Sequence, residues 1–321
     1  MHEPDTSPIP TLPPRDPGAH KGTGGTVLIV GGSTGGQGTL RMLGAPALAG
    51  RAAIRSGAGL VRIAAPEPVL NDLLSDLNEA TGVALPCDQD GALLAHESAR
   101  AIDPQLGAAS CLVVGPGLGQ SDGVRALVLR CVGQEGTPVV LDADGLNALA
   151  SLVDYPKEIR ASCVLTPHPG EYRRLAEPLG ISLDPTDETQ RPEACAELAR
   201  RLGVVVVLKG KGSVVSDGLR AWVCTRGSPA LATGGTGDVL SGVLGGLIAQ
   251  YVAPGPAAIG GVTMPRPPER PLDLYDAARV AVEAHAIAGE RWGTAHGASA
   301  GLLASELADG VPGVLEGMRP G

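Results

Sequence analysis

The sequence predicts a layered α/β/α domain built on a mainly parallel sheet, and three observations carry that reading. Short Val/Ile/Leu runs recur along the chain, each bounded by Gly, Pro or Asp. Those runs are apolar throughout instead of alternating with polar residues, as in strands covered on both faces. Between them lie amphipathic stretches of helical period, and strands alternating with helices build a sheet sandwiched between two helical layers.

The expected strands are Thr26–Val30, Leu60–Ala64, Cys111–Val114, Pro138–Leu141, Cys163–Thr166 and Val204–Leu208. The readable helices are Pro46–Ser56, Val124–Val132, Glu193–Leu202, Thr236–Gln250 and, after a Pro/Gly-rich interruption over Ala253–Pro271, Leu274–Arg291. In Thr236–Gln250 the residues Val239, Leu240, Val243, Leu244, Leu247 and Ile248 fall at helical spacing, and Gly242, Gly245 and Gly246 permit close approach of a neighbour. This helix should lie buried at the centre. The interruption reads as a surface loop.

With 321 residues, 43% of them apolar, the chain can bury a sizeable core, which Leu, Val, Ile and Ala must supply because Phe is absent. A net charge of −9 argues against a phosphate-backbone partner, since nucleic-acid binding draws on clustered Lys and Arg. Six scattered cysteines without a C-x-x-C pair read as reduced structural thiols of a cytoplasmic protein. Residues 1–19, rich in Pro and Asp, predict a loose, disordered tail that is neither signal peptide nor membrane anchor.

In a sheet of this kind ligands bind beyond the carboxyl ends of the strands, so the polar segments that follow strands hold the candidate chemistry. The strongest is the run Ala230–Val243, where Gly234, Gly235, Thr236 and Gly237 lead straight into an apolar helix. Such a turn aims several backbone N–H groups at one point, where the helix dipole adds positive potential, forming an anion hole at Gly235, Thr236 and Gly237. Asp238 in the first helical turn can cap the helix. Three glycines and a threonine ahead of it favour the other role, a general base beside a site for phosphoryl charge.

In Leu165–Tyr172 two prolines fix a loop at a strand end and hold His168 at the crevice, a placement that favours ligand contact. Glu171 can orient Mg²⁺ through water or cap the next helix. The segment Lys209-Gly-Lys-Gly-Ser213 has the form of a hairpin turn, a structural role on its own. Beside a second anion-binding turn it suggests nucleotide phosphates held by Lys209 and the Gly210–Ser213 backbone. Gly115–Gly119 would let a bulky ligand approach, and Asp142 and Asp144 suit a metal, ribose hydroxyls or plain turn formation. The spacing of Gly31–Gly38 is wrong for a dinucleotide-binding fingerprint, and no G-x-x-x-x-G-K-[ST] loop occurs.

Taken in order, HKG, GAPALAGRAAIRSGAGLVRI, VVGPGLG, LDADGLNAL, TPHPGEY, VVVLKGKGSVV and ALATGGTGDVLSG resemble the NAD(P)H-hydrate dehydratase family, from His20 to about Leu315. The closing HAIAGERWG and GLLASELADGVPGVL are similar to it as well. The resemblance implies a three-layer α/β/α ribokinase-like fold over one domain, 20–321. It also implies an enzyme that removes water from hydrated nicotinamide cofactor at the expense of ADP, or ATP, with Mg²⁺. Nucleotide contacts then fall on Lys209, Gly210, Lys211, Gly212, Ser213 and Gly237, and hydrated-cofactor contacts on Ala45, Gly117, His168 and Asp238. A homo-oligomer, a tetramer among the options, is expected from the same resemblance. Some relatives carry an epimerase domain ahead of the HKG segment, and nineteen residues are too few for one, which predicts a chain without epimerase activity. A hydroxyethylthiazole-type kinase would share the anion hole and its aspartate, and the HKG and TPHPGE segments separate the two readings.

Overall fold

A computed structural model describes residues 5–35, 40–252 and 271–320. Strands β1 (Thr26–Val30), β2 (Leu60–Pro66), β3 (Thr81–Leu85), β4 (Cys111–Val114), β5 (Val139–Leu141), β6 (Cys163–Leu165), β7 (Val205–Leu208), β8 (Val214–Ser216) and β9 (Ala221–Val223) form one sheet. Their order is β3-β2-β1-β4-β5-β6-β7-β8-β9. β1 to β7 pair in parallel, while β8 and β9 join antiparallel. The expected three-layer arrangement is therefore present, with a mainly parallel sheet.

Alternate strand residues point into two separate cores. Val27, Ile29, Ile63, Val113, Val140 and Val207 join the core beneath α1 (Gly44–Arg55), α8 (Thr236–Tyr251), α9 (Leu274–His296) and α10 (Ala304–Glu316). Leu28, Val30, Leu112, Leu141, Leu165 and Leu208 join the opposite core, under α3 (Ala95–Leu106), α4 (Asp122–Val132), α5 (Asp144–Ala150), α6 (Pro169–Ala176) and α7 (Arg191–Leu202). The remaining helix, α2 (Glu67–Asp76), contributes Leu73 to the first core. This two-sided burial is the physical reason why the strands read as continuous apolar runs. α8 lies at the centre as its glycines predict, since a methyl group on Gly242 would overlap the Ala49 carbonyl of α1.

The chain runs outward from β1 to β3 and then returns to place β4 on the other side of β1. That reversal opens a crevice between the loops after β1 and β4, which touch where Gly32 N–H donates to Pro116 O at 2.9 Å. The loops after β5, β6 and β7 line the same sheet edge.

The loose tail expected over residues 1–19 does not describe residues 5–19, which lie docked. Leu12 is fully buried and its N–H donates to Met318 O at 2.9 Å. Asp5 N–H donates to Ala221 O at the sheet edge, 2.7 Å, and Asp5 accepts from Tyr275 Oη, also 2.7 Å. The Arg279 guanidinium bonds the carbonyls of Ser7 and Pro8, and Arg15 donates to Gln250 Oε1 at 2.9 Å. Pro8, Pro10, Pro13 and Pro14 limit the conformations the free segment can sample, so a single buried leucine and a few polar anchors suffice to order it. The Ala253–Pro271 interruption lies, apart from Pro271, outside the described residues, as do 36–39. No helix of the described residues is long and apolar enough to cross a membrane.

Candidate active site

The amino end of α8 is an uncapped helix terminus. Gly235, at φ +90° and ψ −15°, takes the left-handed turn that lets the chain enter the helix, and α8 has no side-chain cap. Its first-turn N–H groups consequently lack intrahelical partners and can receive an anion. Thr236 closes the turn by donating its hydroxyl to Leu231 O at 2.9 Å and to Thr233 O at 3.0 Å. His285 Nε2 meets the Thr236 carbonyl at 2.9 Å, which ties the turn to α9. Asp238, three residues past Gly235, makes no cap here, so capping does not account for it.

Below this turn a chain of charges joins four elements. Lys209 Nζ, leaving β7, lies 2.6 Å from Asp142 Oδ1 at the end of β5 and 3.9 Å from Glu171 Oε2 on α6. Asp142 is buried, and its Oδ1 also accepts the Ala143 N–H at 2.9 Å while Oδ2 accepts the Ser241 hydroxyl at 2.5 Å. Burial alone would discharge Lys209, but Asp142, Glu171 and Asp238 outweigh it and hold the ammonium above its usual range. One cation cannot satisfy three carboxylates. Burial, reinforced by the charge on Asp142, pushes Asp238 up to about 7, and burial likewise lifts Glu171 to about 7. Perturbed carboxyls gathered at an anion-binding turn are what acid–base chemistry requires.

A cavity of about 1090 Å³ opens from this cluster along β8, β9 and α9. Lys209, Gly210, Lys211, Gly212, Ser213 and Gly237 all line it, together with Leu240, Val282 and His285. The Lys209–Ser213 turn connects antiparallel β7 and β8 as expected of a hairpin. It is braced from behind by Arg191, a residue the sequence reading missed: the buried guanidinium donates to Pro185 O (2.6 Å), Leu208 O (3.1 Å) and Gly212 O (3.3 Å). A cation among the buried positions of an otherwise amphipathic helix was the available signal. Lys211 is exposed and paired with Glu188, which lines the same cavity.

Ala45, Gly117 and His168 lie outside that cavity's lining. Gly117, at φ +66°, packs so closely on α1 that an added methyl would stand 3.4 Å from Ala45 Cβ. The two therefore share one wall of the crevice between β1 and β4. His168 is exposed at the start of α6, where its Nδ1 accepts the Gly170 and Glu171 N–H groups at 2.9 and 3.3 Å. Glu171 returns the bond through Oε2 to the His168 N–H, completing a capping box. Helix capping is thus the role the geometry gives Glu171. Asp142, with Lys209, Ser241 and the Ala143 N–H upon it, is not available as a metal ligand, and Asp144 accepts the Gly119 N–H at 2.8 Å. Among the described residues no group of three or more His, Cys, Asp or Glu could hold a metal.

Comparison with known proteins matches residues 27–312 to the family described as NAD(P)H-hydrate dehydratase. The chain belongs to the NAD(P)H-hydrate dehydratase family. Curated members of it include bifunctional NAD(P)H-hydrate repair enzymes from Salinibacter ruber, 38% identical over 94% of this chain and 50% of the relative, and from Coxiella burnetii, 39% identical over 93% and 52%. The chain spans about half the length of these curated relatives. Among solved structures of the dehydratase family, the ADP/ATP-dependent NAD(P)H-hydrate dehydratase of Bacillus subtilis, co-crystallised with ATP and Mg²⁺, superposes with a TM-score of 0.72. It is 34% identical, over 96% of this chain and 95% of that one.

Proposed function

We propose that this protein restores NAD(P)H from the S form of its hydrate, using ADP, or ATP, to phosphorylate the ring hydroxyl and then eliminating phosphate. The observation that supports this most directly is Asp238, a carboxyl raised to about 7, in the first turn of an uncapped helix whose Gly235–Gly237 segment offers backbone N–H groups to an anion. Asp238 takes the proton of the ring hydroxyl as its oxygen attacks the terminal phosphorus, and the bond from that phosphorus to the nucleotide breaks. The anion hole bears the charge on the phosphoryl group in flight. Hydroxide leaves poorly, whereas phosphate leaves with the electron pair of the C–O bond. The ring nitrogen's lone pair drives that departure, and loss of the neighbouring ring proton restores the double bond.

The nucleotide phosphates lie along Lys209, Gly210, Lys211, Gly212, Ser213 and Gly237, and the hydrated ring between Ala45, Gly117, His168 and Asp238. Magnesium fits this site as a cation carried by the phosphates, whose charge it neutralises, because the described residues offer no protein cage. Glu171 would help to hold it through water. Incubation with hydrated NADH, ADP and Mg²⁺, followed by the recovery of NADH absorbance, tests the reading. Absence of recovery with both ADP and ATP would overturn it.

A further inference from the structure

The Lys209 ammonium is fixed from the side away from the cavity. Asp142 reaches it from the end of β5, 67 residues earlier in the chain, and is itself gripped by the Ala143 N–H and by Ser241 on α8. Ser241 lies one turn beyond Gly237 and also donates to the Gly237 carbonyl at 3.2 Å. The same hydroxyl therefore couples the carboxylate to the anion hole. A methyl group built on Gly237 would stand 3.6 Å from Lys209 Nζ, so the ammonium sits over the first turn of α8, and the Gly210–Ser213 backbone follows it along the cavity. A lysine that only tethered nucleotide would need no buried anchor of this kind, since a flexible ammonium finds phosphate unaided.

We propose that Asp142, braced by Ser241, is a positioning residue that pins the Lys209 ammonium beside the anion hole, where it faces the phosphoryl group being transferred. Freed from Asp142, the four-carbon stem would let the charge wander among Glu171, Asp238 and the solvent. The inference rests on the phosphoryl-transfer reading of the site. Among the described residues, the charged or titratable groups around this carboxylate and its lysine include Glu171 and His168 from α6, Asp144 from α5, Asp238 from α8 and His285 from α9.

Asp142→Asn tests it, because the amide keeps the shape while losing the charge. The turnover number should fall by at least about tenfold, the scale of a lost electrostatic contact in the transition state, while ADP affinity by calorimetry stays within about threefold. The acid limb of the pH profile should move to lower pH, since Asp142 is one of the charges that raise Asp238. A readout independent of activity comes from acetylation. The chain has four lysines, Lys21, Lys157, Lys209 and Lys211. Peptide mapping after acetic anhydride at pH 8 should show Lys209 labelling faster in the variant, with the other three as internal standards. Asp142→Glu should recover part of the turnover. Where Asp142→Asn folds poorly, Ser241→Ala retains the charge and should still lose turnover severalfold, measured below its own melting transition. If wild type binds no ADP and restores no NADH, the phosphoryl-transfer reading falls with everything built on it. If wild type is active but Asp142→Asn changes only the Michaelis constant for nucleotide, leaving turnover, pH limb and Lys209 labelling alone, the positioning role alone is refuted.

Discussion

His168 and Glu171 cap each other: the imidazole Nδ1 accepts two N–H groups of the first turn of α6, and the Glu171 carboxylate accepts the His168 N–H at 2.8 Å. With Nδ1 an acceptor, the ring proton sits on Nε2, 3.3 Å from Glu171 Oε1, and partial burial of the ring together with Lys209 lowers its affinity for a second proton. The histidine so has a structural duty besides any contact with substrate, and the two separate by substitution. His168→Asn retains a side chain able to cap and should hold the melting temperature, while His168→Ala costs about 1 kcal/mol. Both should raise the Michaelis constant for the hydrated cofactor. A constant that rises only in the alanine variant would leave His168 as a cap alone.

Asp238→Asn keeps size and removes basicity. Turnover should drop about a hundredfold or more, the usual scale for positioned acid–base catalysis, with ADP affinity near wild type because the backbone anion hole is untouched. Steady-state dehydration at saturating ADP, paired with a binding titration, decides it. A variant retaining above about a tenth of wild-type turnover would remove Asp238 from the chemistry.

The raised carboxyl also predicts how stability follows pH. Asp238 has its folded pKa near 7 against an ordinary 3.8, so its protonated form is favoured in the folded state. Its contribution is complete below about pH 4, declines as pH climbs and is lost above 7. Glu171 acts in the same direction. Without ligand, Asp238→Asn should therefore melt a few degrees above wild type at pH 8 and level with it at pH 4. Turnover runs the opposite way, rising through pH 7 as the base ionises. Scanning fluorimetry at the two pH values checks the first claim, and equal melting points at pH 8 would contradict it.

Arg191→Met should leave the Pro185, Leu208 and Gly212 carbonyls without their shared donor and slacken the Lys209–Ser213 turn. Losing such buried bonds costs about 1–3 kcal/mol. ADP affinity should weaken about tenfold while the pH profile keeps its shape, and calorimetry with a parallel pH series reads both. Unchanged ADP affinity would show that the turn holds its form without Arg191.

Much of the architecture was legible because chemistry and locality coincide. β1, β4, β5, β6 and β7 are apolar on both faces, and the first three run directly into Gly31, Gly115 and Asp142. β3 escaped the reading because it is an edge strand, mostly exposed and interrupted by Gly82, so no hydrophobic run marks it. The glycine turns announced the anion-binding end of α8 and the Lys209–Ser213 hairpin. Asp142 did not announce itself, since its partners stand 67 and 99 residues away and a strand-end aspartate reads equally as a turn former. Residues 5–19 were misread for the same reason: their composition is that of a free tail, and their anchors Tyr275, Arg279 and Met318 belong to the other end of the chain.

Leu12→Ala measures what that docking is worth. The side chain is fully buried, so truncation should cost about 2–5 kcal/mol, the range for emptied leucine sites. Chemical denaturation would show it, and a loss under about 0.5 kcal/mol would mean the segment binds through its polar anchors only.

The docked segment bears on the order of folding as well. Arg319 reaches the Pro13 carbonyl across 306 positions, and Leu12 bonds Met318, so residues 5–19 find their seats only after the region around α10 has formed. Contacts so distant in sequence close long loops, which adds to their entropic cost. The sheet can assemble before this segment docks, and until it does the outer edge of β9 lacks the Asp5 contact and stands open to other strands.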